Sequence, residues 1–158
     1  MIFHMTDVPY GRGGSPLQNL IVRGHTETKL TALRCVAEMD AGPVYLQRPL
    51  SLLGTAEEIL IRAGHLIIDM IVTITAVEPM PRRQQGAPTV FERRKPTDGA
   101  LDQARTISNA YDLIRMLDAE GYPHAFADVG PFRIEFSRAT LRPDEVVADV
   151  RISLKDKT

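Results

Sequence analysis

Residues 4–16 read HMTDVPYGRGGSP and residues 24–42 read GHTETKLTALRCVAEMDAG, and the organisation of the chain follows from these two stretches. Ile2, Phe3 and His4 read as the end of a strand. Pro9, Gly11, Gly13, Gly14 and Pro16 then crowd a loop from Asp7 to Pro16. Pro16 suits the first turn of a helix, Leu17, Leu20 and Ile21 give that helix one apolar face, and Gly24 ends it. Leu30 to Val36 predicts a second strand with Leu33 and Cys35 on one face and Arg34 on the other. Gly42–Pro43 makes a turn, and Val44 to Leu46 begins a short strand that stops near Pro49.

His4 and Asp40 are the residues here that can carry chemistry. In an α/β domain, ligands bind at strand ends. A histidine there exchanges a proton near neutral pH. Neighbouring strand ends would bring Asp40, which follows the second strand, within reach of His4. The residue types alone leave a plainer reading open, with His4 a structural hydrogen-bonding residue and Asp40 a turn residue before Ala41–Gly42. The Gly11–Arg12–Gly13–Gly14 run lacks the GxxxxGK[ST] pattern of a phosphate loop.

Working outward, Thr55 to about Val77 predicts the longest helix, with Thr55 and Glu58 spaced as a capping box. Ile59, Ala63, Leu66, Met70 and Ile74 form its stripe, and Ile67, Ile68, Ile71 and Val72 widen it past one face. Residues 79–105 read as a linker, with Pro79, Pro81, Gly86 and Pro88 breaking any period. Thr106 to Glu120 predicts an amphipathic helix stopped by Gly121 and Pro123. At least two half-buried antiparallel strands follow, on the alternation of Phe132, Ile134 and Phe136 and of Val146, Ala148, Val150 and Ile152.

A net charge of −1 provides no global field for nucleic acid, and Arg82–Arg83 and Arg93–Arg94–Lys95 read as solvated loop charge. The single Cys35 rules out an internal disulfide, fits a reducing compartment, and is expected in the core. No signal peptide is visible. The apolar stretch from Leu66 to Val77 is too short for a membrane span, so the expectation is a cytoplasmic chain with no membrane partner. The four histidines and one cysteine show no metal-ligand spacing, and no metal is expected.

The same two stretches resemble the 10-formyltetrahydrofolate-dependent formyltransferase family. His4, Pro9, Arg12, Gly13 and Pro16 match its H-x-S-L-L-P-x-x-R-G-x-x-P stretch. Gly24, Glu27, Thr28 and Thr31 match G-x-x-E-T-x-x-T, and Asp40 and Gly42 match D-x-G, which makes eleven positions in one ungapped register over 39 residues. Ile114–Arg115 and Tyr122–Pro123–His124–Ala125–Phe126 match the family's I-R and P-x-P-G-A-F more loosely.

The resemblance implies an α/β chain. Residues 1–78 would be the C-terminal half of a Rossmann-like catalytic domain, 79–105 a linker, and 106–158 a small α+β antiparallel unit. It implies transfer of a formyl group from 10-formyltetrahydrofolate to a primary amine, either of an amino-sugar nucleotide or of methionyl-tRNA, with a small amine or amino sugar slightly ahead of tRNA. Its catalytic pair would be His4 and Asp40. The folate would lie against the main chain of Val36, Ala37 and Glu38 and against Asp40, and Thr6, Arg12 and Gly13 would belong to the substrate loop.

Three departures qualify these expectations. Ile2 stands where the family has a catalytic Asn, and loss of one oxyanion donor costs about 10²–10³ in rate. The family's preceding half-domain is expected to be missing. Thr6–Asp7–Val8 replaces Ser-Leu-Leu, leaving Thr6 as a substitute donor and Asp7 as an added charge near His4. The alternative expectation is therefore an inactive fragment or binding module that needs the missing half or a partner, with a homodimer covering the apolar helix face.

Overall fold

The computed structural model describes residues 1–155, and the last three residues of the expected C-terminal unit, 156–158, lie outside the described residues. The chain divides into two compact units: Met1–Leu53 with Glu58–Arg94, and Gly54–Glu57 with Lys95–Thr158.

The first unit is built on a three-stranded antiparallel sheet in the order β1 (Ile2–His4), β3 (Glu27–Leu33), β4 (Val44–Ser51). β3 is central, so Leu30, Thr31, Ala32 and Leu33 are all fully buried in succession. The strand ends at Leu33, before the predicted Val36. Cys35 therefore lies beyond the sheet as an exposed free thiol, which corrects its expected core position. β4 runs through Pro49, opposite Lys29, to Ser51. A proline is tolerated there because β4 is an edge strand.

The expected loop from Asp7 to Pro16 contains a strand, β2 (Tyr10–Gly13), which pairs in parallel with β5 (Thr89–Phe91) from the expected linker. Neither had a sequence signature: β5 has only three residues, and β2 carries two glycines. Gly13 has a φ of 105°, and a Cβ there would lie 2.4 Å from the Phe91 carbonyl oxygen, so the close pairing requires glycine. Phe91 is buried, with Tyr10 edge-on at 5.3 Å and the Arg23 guanidinium 4.5 Å from its centroid.

The first helix, α1 (Pro16–Val22), buries Leu17, Leu20 and Ile21 as the pattern predicts. The long helix, α2 (Ala56–Val77), buries one seam of Ala56, Ile59, Ala63 and Met70. Ile61, Ile68, Ile71 and Val72 remain exposed. Its 22 residues include an 18-residue window with a mean hydropathy of 1.7, so it is long and apolar enough to cross a membrane by length and composition alone. The reading based on the shorter Leu66–Val77 stretch missed this.

The second unit carries α3 (Ile107–Arg115) and an antiparallel sheet in the order β6 (Ala125–Val129), β7 (Phe132–Leu141), β8 (Val146–Leu154). Two short 3₁₀ turns, Pro96–Gly99 and Leu101–Gln103, precede the helix within the stretch read as linker. The two strands read from alternation form and are antiparallel, with Phe132, Ile134 and Phe136 opposite Leu154, Ile152 and Val150, but Phe132, Val150 and Ile152 are exposed, which corrects the half-buried expectation for that face. The helix ends at Arg115 instead of Glu120, and Asp118 instead accepts bonds from the Glu57 and Arg138 amides. The Thr106 hydroxyl caps α3, accepting from the Asn109 amide at 3.0 Å. Thr106→Ala should cost about 1 kcal/mol, read as a lower thermal or denaturant midpoint.

Candidate functional site

β1 delivers His4 to the interior, where it is 8% exposed. Its Nε2 lies 2.8 Å from the Gly11 carbonyl oxygen. A carbonyl only accepts, so Nε2 carries the proton and Nδ1 is the ring atom left for chemistry. Nδ1 faces Asp40 Oδ2 at 3.6 Å, just beyond hydrogen-bond length. That carboxylate oxygen also accepts from the Gly13 amide at 2.9 Å.

The route by which these groups meet differs from the expected one. β1 and β3 are antiparallel, with Ile2 opposite Leu33 and His4 opposite Thr31, so their C-terminal tips lie at opposite ends of the pair. The loop of residues 34–43 carries Asp40 back. It is closed where the Arg34 amide donates to the Pro43 carbonyl at 2.9 Å. Because β1 has only three residues, the return is short. Asp40 sits in the left-handed region at φ 53°, a cost that persists only where surrounding bonds fix it.

Thr6 is fully buried, and its hydroxyl donates to the Gly11 carbonyl at 3.2 Å, so its proton is committed and offers nothing to a developing oxyanion. Asp7 pairs with Lys29 at 2.9 Å and accepts from the Gln47 side-chain amide at 2.9 Å, so its charge is engaged by these two groups. Arg12 pairs with Glu38 at 2.9 Å and donates from Nε and a terminal nitrogen to Gln84 Oε1, at 3.0 and 2.8 Å. Val36, Ala37 and Glu38 are exposed. Val36 and Ala37 make no hydrogen bond among the described residues, leaving their main-chain groups open to a ligand. Ile2 lies on β1 opposite Leu33 and offers no donor.

The sequence reading missed Gln84. Its amide nitrogen donates to the carbonyls of Asp40, at 2.7 Å, and Gly42, at 2.9 Å. It lies in a polar run between prolines, where no spacing marks it. A cleft of about 1000 Å³ opens alongside, walled by Asp7, Lys29, Val44, Gln47, Arg82 and Gln84. Neither His4 nor Asp40 is on its wall. No cluster of three or more metal-ligating side chains occurs among the described residues.

Residues 96–153 match the family model described as methionyl-tRNA formyltransferase, C-terminal domain. A curated methionyl-tRNA formyltransferase from Clavibacter michiganensis is 30% identical over 152 residues, covering 92% of this chain and 49% of that protein. The chain thus spans about half the length of such curated relatives. The solved methionyl-tRNA formyltransferase from Clostridium thermocellum is 48% identical with a TM-score of 0.94, over 97% of this chain and 68% of that one. HypX from Aquifex aeolicus, solved with tetrahydrofolic acid, shares the fold at a TM-score of 0.63 and 16% identity, over 87% of this chain and 25% of that one.

Proposed function

The chain belongs to the formyltransferase family, and from that premise we propose that its first unit takes part in formyl transfer from 10-formyltetrahydrofolate to a primary amine. The observation that carries this reading is the convergence of His4 Nδ1, Asp40 Oδ2 and the Gly13 amide within one largely buried cluster. We assign residues 1–78 to the catalytic domain and the unit from residue 106 onward to the acceptor side.

The residues present fit the folate donor at one point, since the open main-chain groups of Val36 and Ala37 can hydrogen-bond a heterocycle. 10-Formyltetrahydrofolate supplies the one-carbon unit: the amine nitrogen bonds to the formyl carbon, the bond from that carbon to N10 breaks, and a formamide and tetrahydrofolate result. In balance, one proton leaves the amine and one arrives at N10. Asp40 receives the amine's proton. His4, anchored through Nε2 on Gly11, holds or returns a proton through Nδ1 alone. The Gly13 amide fixes the carboxylate for this role.

The acceptor carries phosphate in either reading, and Arg82 and Arg83 on the cleft wall suit it. The match of residues 96–153 and the likeness to the C. thermocellum protein support methionyl-tRNA ahead of an amino-sugar nucleotide. The free thiol of Cys35 suits a reducing, cytoplasmic setting. Incubation with 10-formyltetrahydrofolate and each acceptor should release tetrahydrofolate and formylated product with one of them. Folded protein that forms product with neither would instead support the second reading, a non-catalytic module. Two observations favour that reading: Ile2 offers no donor, and the Thr6 proton is spent on Gly11.

A further inference from the structure

We propose that Gln84 is a positioning residue that sets the Asp40 loop against Gly13 and His4. This rests on the formyl-transfer reading for its consequence in rate, but not for its geometry. The side chain is part-buried and uses its full hydrogen-bonding capacity, with two donors and two acceptor sites. Nε2 donates to the carbonyls of Asp40 and Gly42. Oε1 accepts twice from Arg12, whose guanidinium also pairs with Glu38. One amide thus ties the substrate loop, through Arg12, to both sides of the loop that presents Asp40.

The orientation of the amide is forced. Turned over, its NH₂ would face a guanidinium and its oxygen would face two carbonyls, losing all four bonds at once. The main chain leading to Gln84 is equally fixed. Arg82 makes a two-way bridge to Val44, with its amide donating to the Val44 carbonyl at 2.8 Å and its carbonyl accepting from the Val44 amide at 2.7 Å. That pins residue 82 to the first residue of β4, two positions before Gln84.

Asp40 needs such support. Its φ of 53° lies in the left-handed region, which aspartate visits more readily than most residues but still at a cost that its contacts offset. The Gly13 amide holds its carboxylate from one side, and Gln84 holds its carbonyl from the other. Without Gln84, the loop can relax toward an ordinary backbone, the Asp40 to Gly13 bond opens, and Nδ1 of His4 loses its partner.

The test uses Gln84→Leu and Gln84→Glu in the full chain. Leucine removes all four bonds. A glutamate carboxylate still accepts from Arg12 but cannot donate to the two carbonyls. The first readout is amide hydrogen exchange at Gly13, which donates to Asp40, relative to Gly14, which donates to the Phe91 carbonyl at 3.0 Å. Both variants should speed Gly13 exchange at least about tenfold over Gly14, whereas general destabilisation would speed both alike. The second readout is formyl transfer, where kcat should fall about 10- to 100-fold with KM for donor and acceptor within about threefold, as for a group acting only in the transition state.

An unchanged Gly13-to-Gly14 ratio in both variants overturns the proposal, and so does a raised ratio with wild-type kcat. If wild-type protein transfers no formyl group, that reading fails alone, and the exchange ratio still decides whether Gln84 sets the loop.

Discussion

Replacing His4 with alanine is expected to lower formyl transfer by about 10²–10⁴-fold, the range a positioned acid–base group contributes. The fold should survive, because the Gly11 carbonyl keeps the Thr6 hydroxyl as donor after the imidazole is gone. The lost hydrogen bond then costs about 1 kcal/mol, and the space left by the buried ring about 2–3 kcal/mol more, so the melting curve is recorded beside the rate. Asp40→Asn tests the same cluster from the other side. An asparagine oxygen can still accept from the Gly13 amide, so the loop stays placed while the charge facing Nδ1 is removed. A comparable loss in Asp40→Asn with an intact melting curve would locate the effect in proton transfer and not in loop geometry. Initial rates of tetrahydrofolate release for both variants provide the measurement. A His4→Ala rate within threefold of wild type would remove the imidazole from the mechanism.

The legible part of this molecule is the part in which one residue's type fixes its own surroundings. Pro16 and Gly24 bracket α1, and Leu17, Leu20 and Ile21 bury on the predicted face, because the helical period and its punctuation are local signals. The alternation in β7 and β8 is local in the same sense and marks both strands, although the burial it implied fails at Val150 and Ile152, which stay exposed. β2 and β5 escaped because a parallel pair of three or four residues is too short to show a period, and its glycines resemble a loop until Phe91 lies against them. Cys35 was misplaced for a related reason. It continues the apolar run of β3, but the strand is cut at Leu33, where the chain must turn to bring Asp40 back.

His4 and Asp40 were legible only through a register shared with a family. The contacts that make them a unit come from residues with no sequence signal. Gln84 lies 44 positions beyond Asp40 and the Gly11 carbonyl is a main-chain group, so no side-chain pattern announces either. The antiparallel run of β1 and β3 also makes the return loop of residues 34–43, and not two adjacent strand tips, the element on which the pair depends.

That dependence makes Gly42 the most exacting position in the first unit. A Cβ at residue 42 would lie 1.8 Å from the Arg34 carbonyl oxygen and 2.9 Å from its carbon, a clash with main chain that no side-chain rotation relieves. The obstacle is itself fixed, since Arg34 follows directly on β3 and its amide donates to the Pro43 carbonyl. Gly42→Ala must therefore displace the loop, taking the Gly42 carbonyl from Gln84 and Asp40 from its place opposite His4. The expected cost is at the upper end for overpacking, about 3 kcal/mol, or a melting temperature lower by about 6–12 °C for a chain of this size. Gly64→Ala is the matched control. It lies in α2, a Cβ there meets nothing within 4 Å, and alanine should stabilise the helix by about 0.5–1 kcal/mol. Opposite signs for one added methyl group at two glycines would place the constraint in the close approach at Arg34. A Gly42→Ala protein that melts with wild type and keeps the Gly13 amide protected would mean that the loop holds Asp40 without that approach.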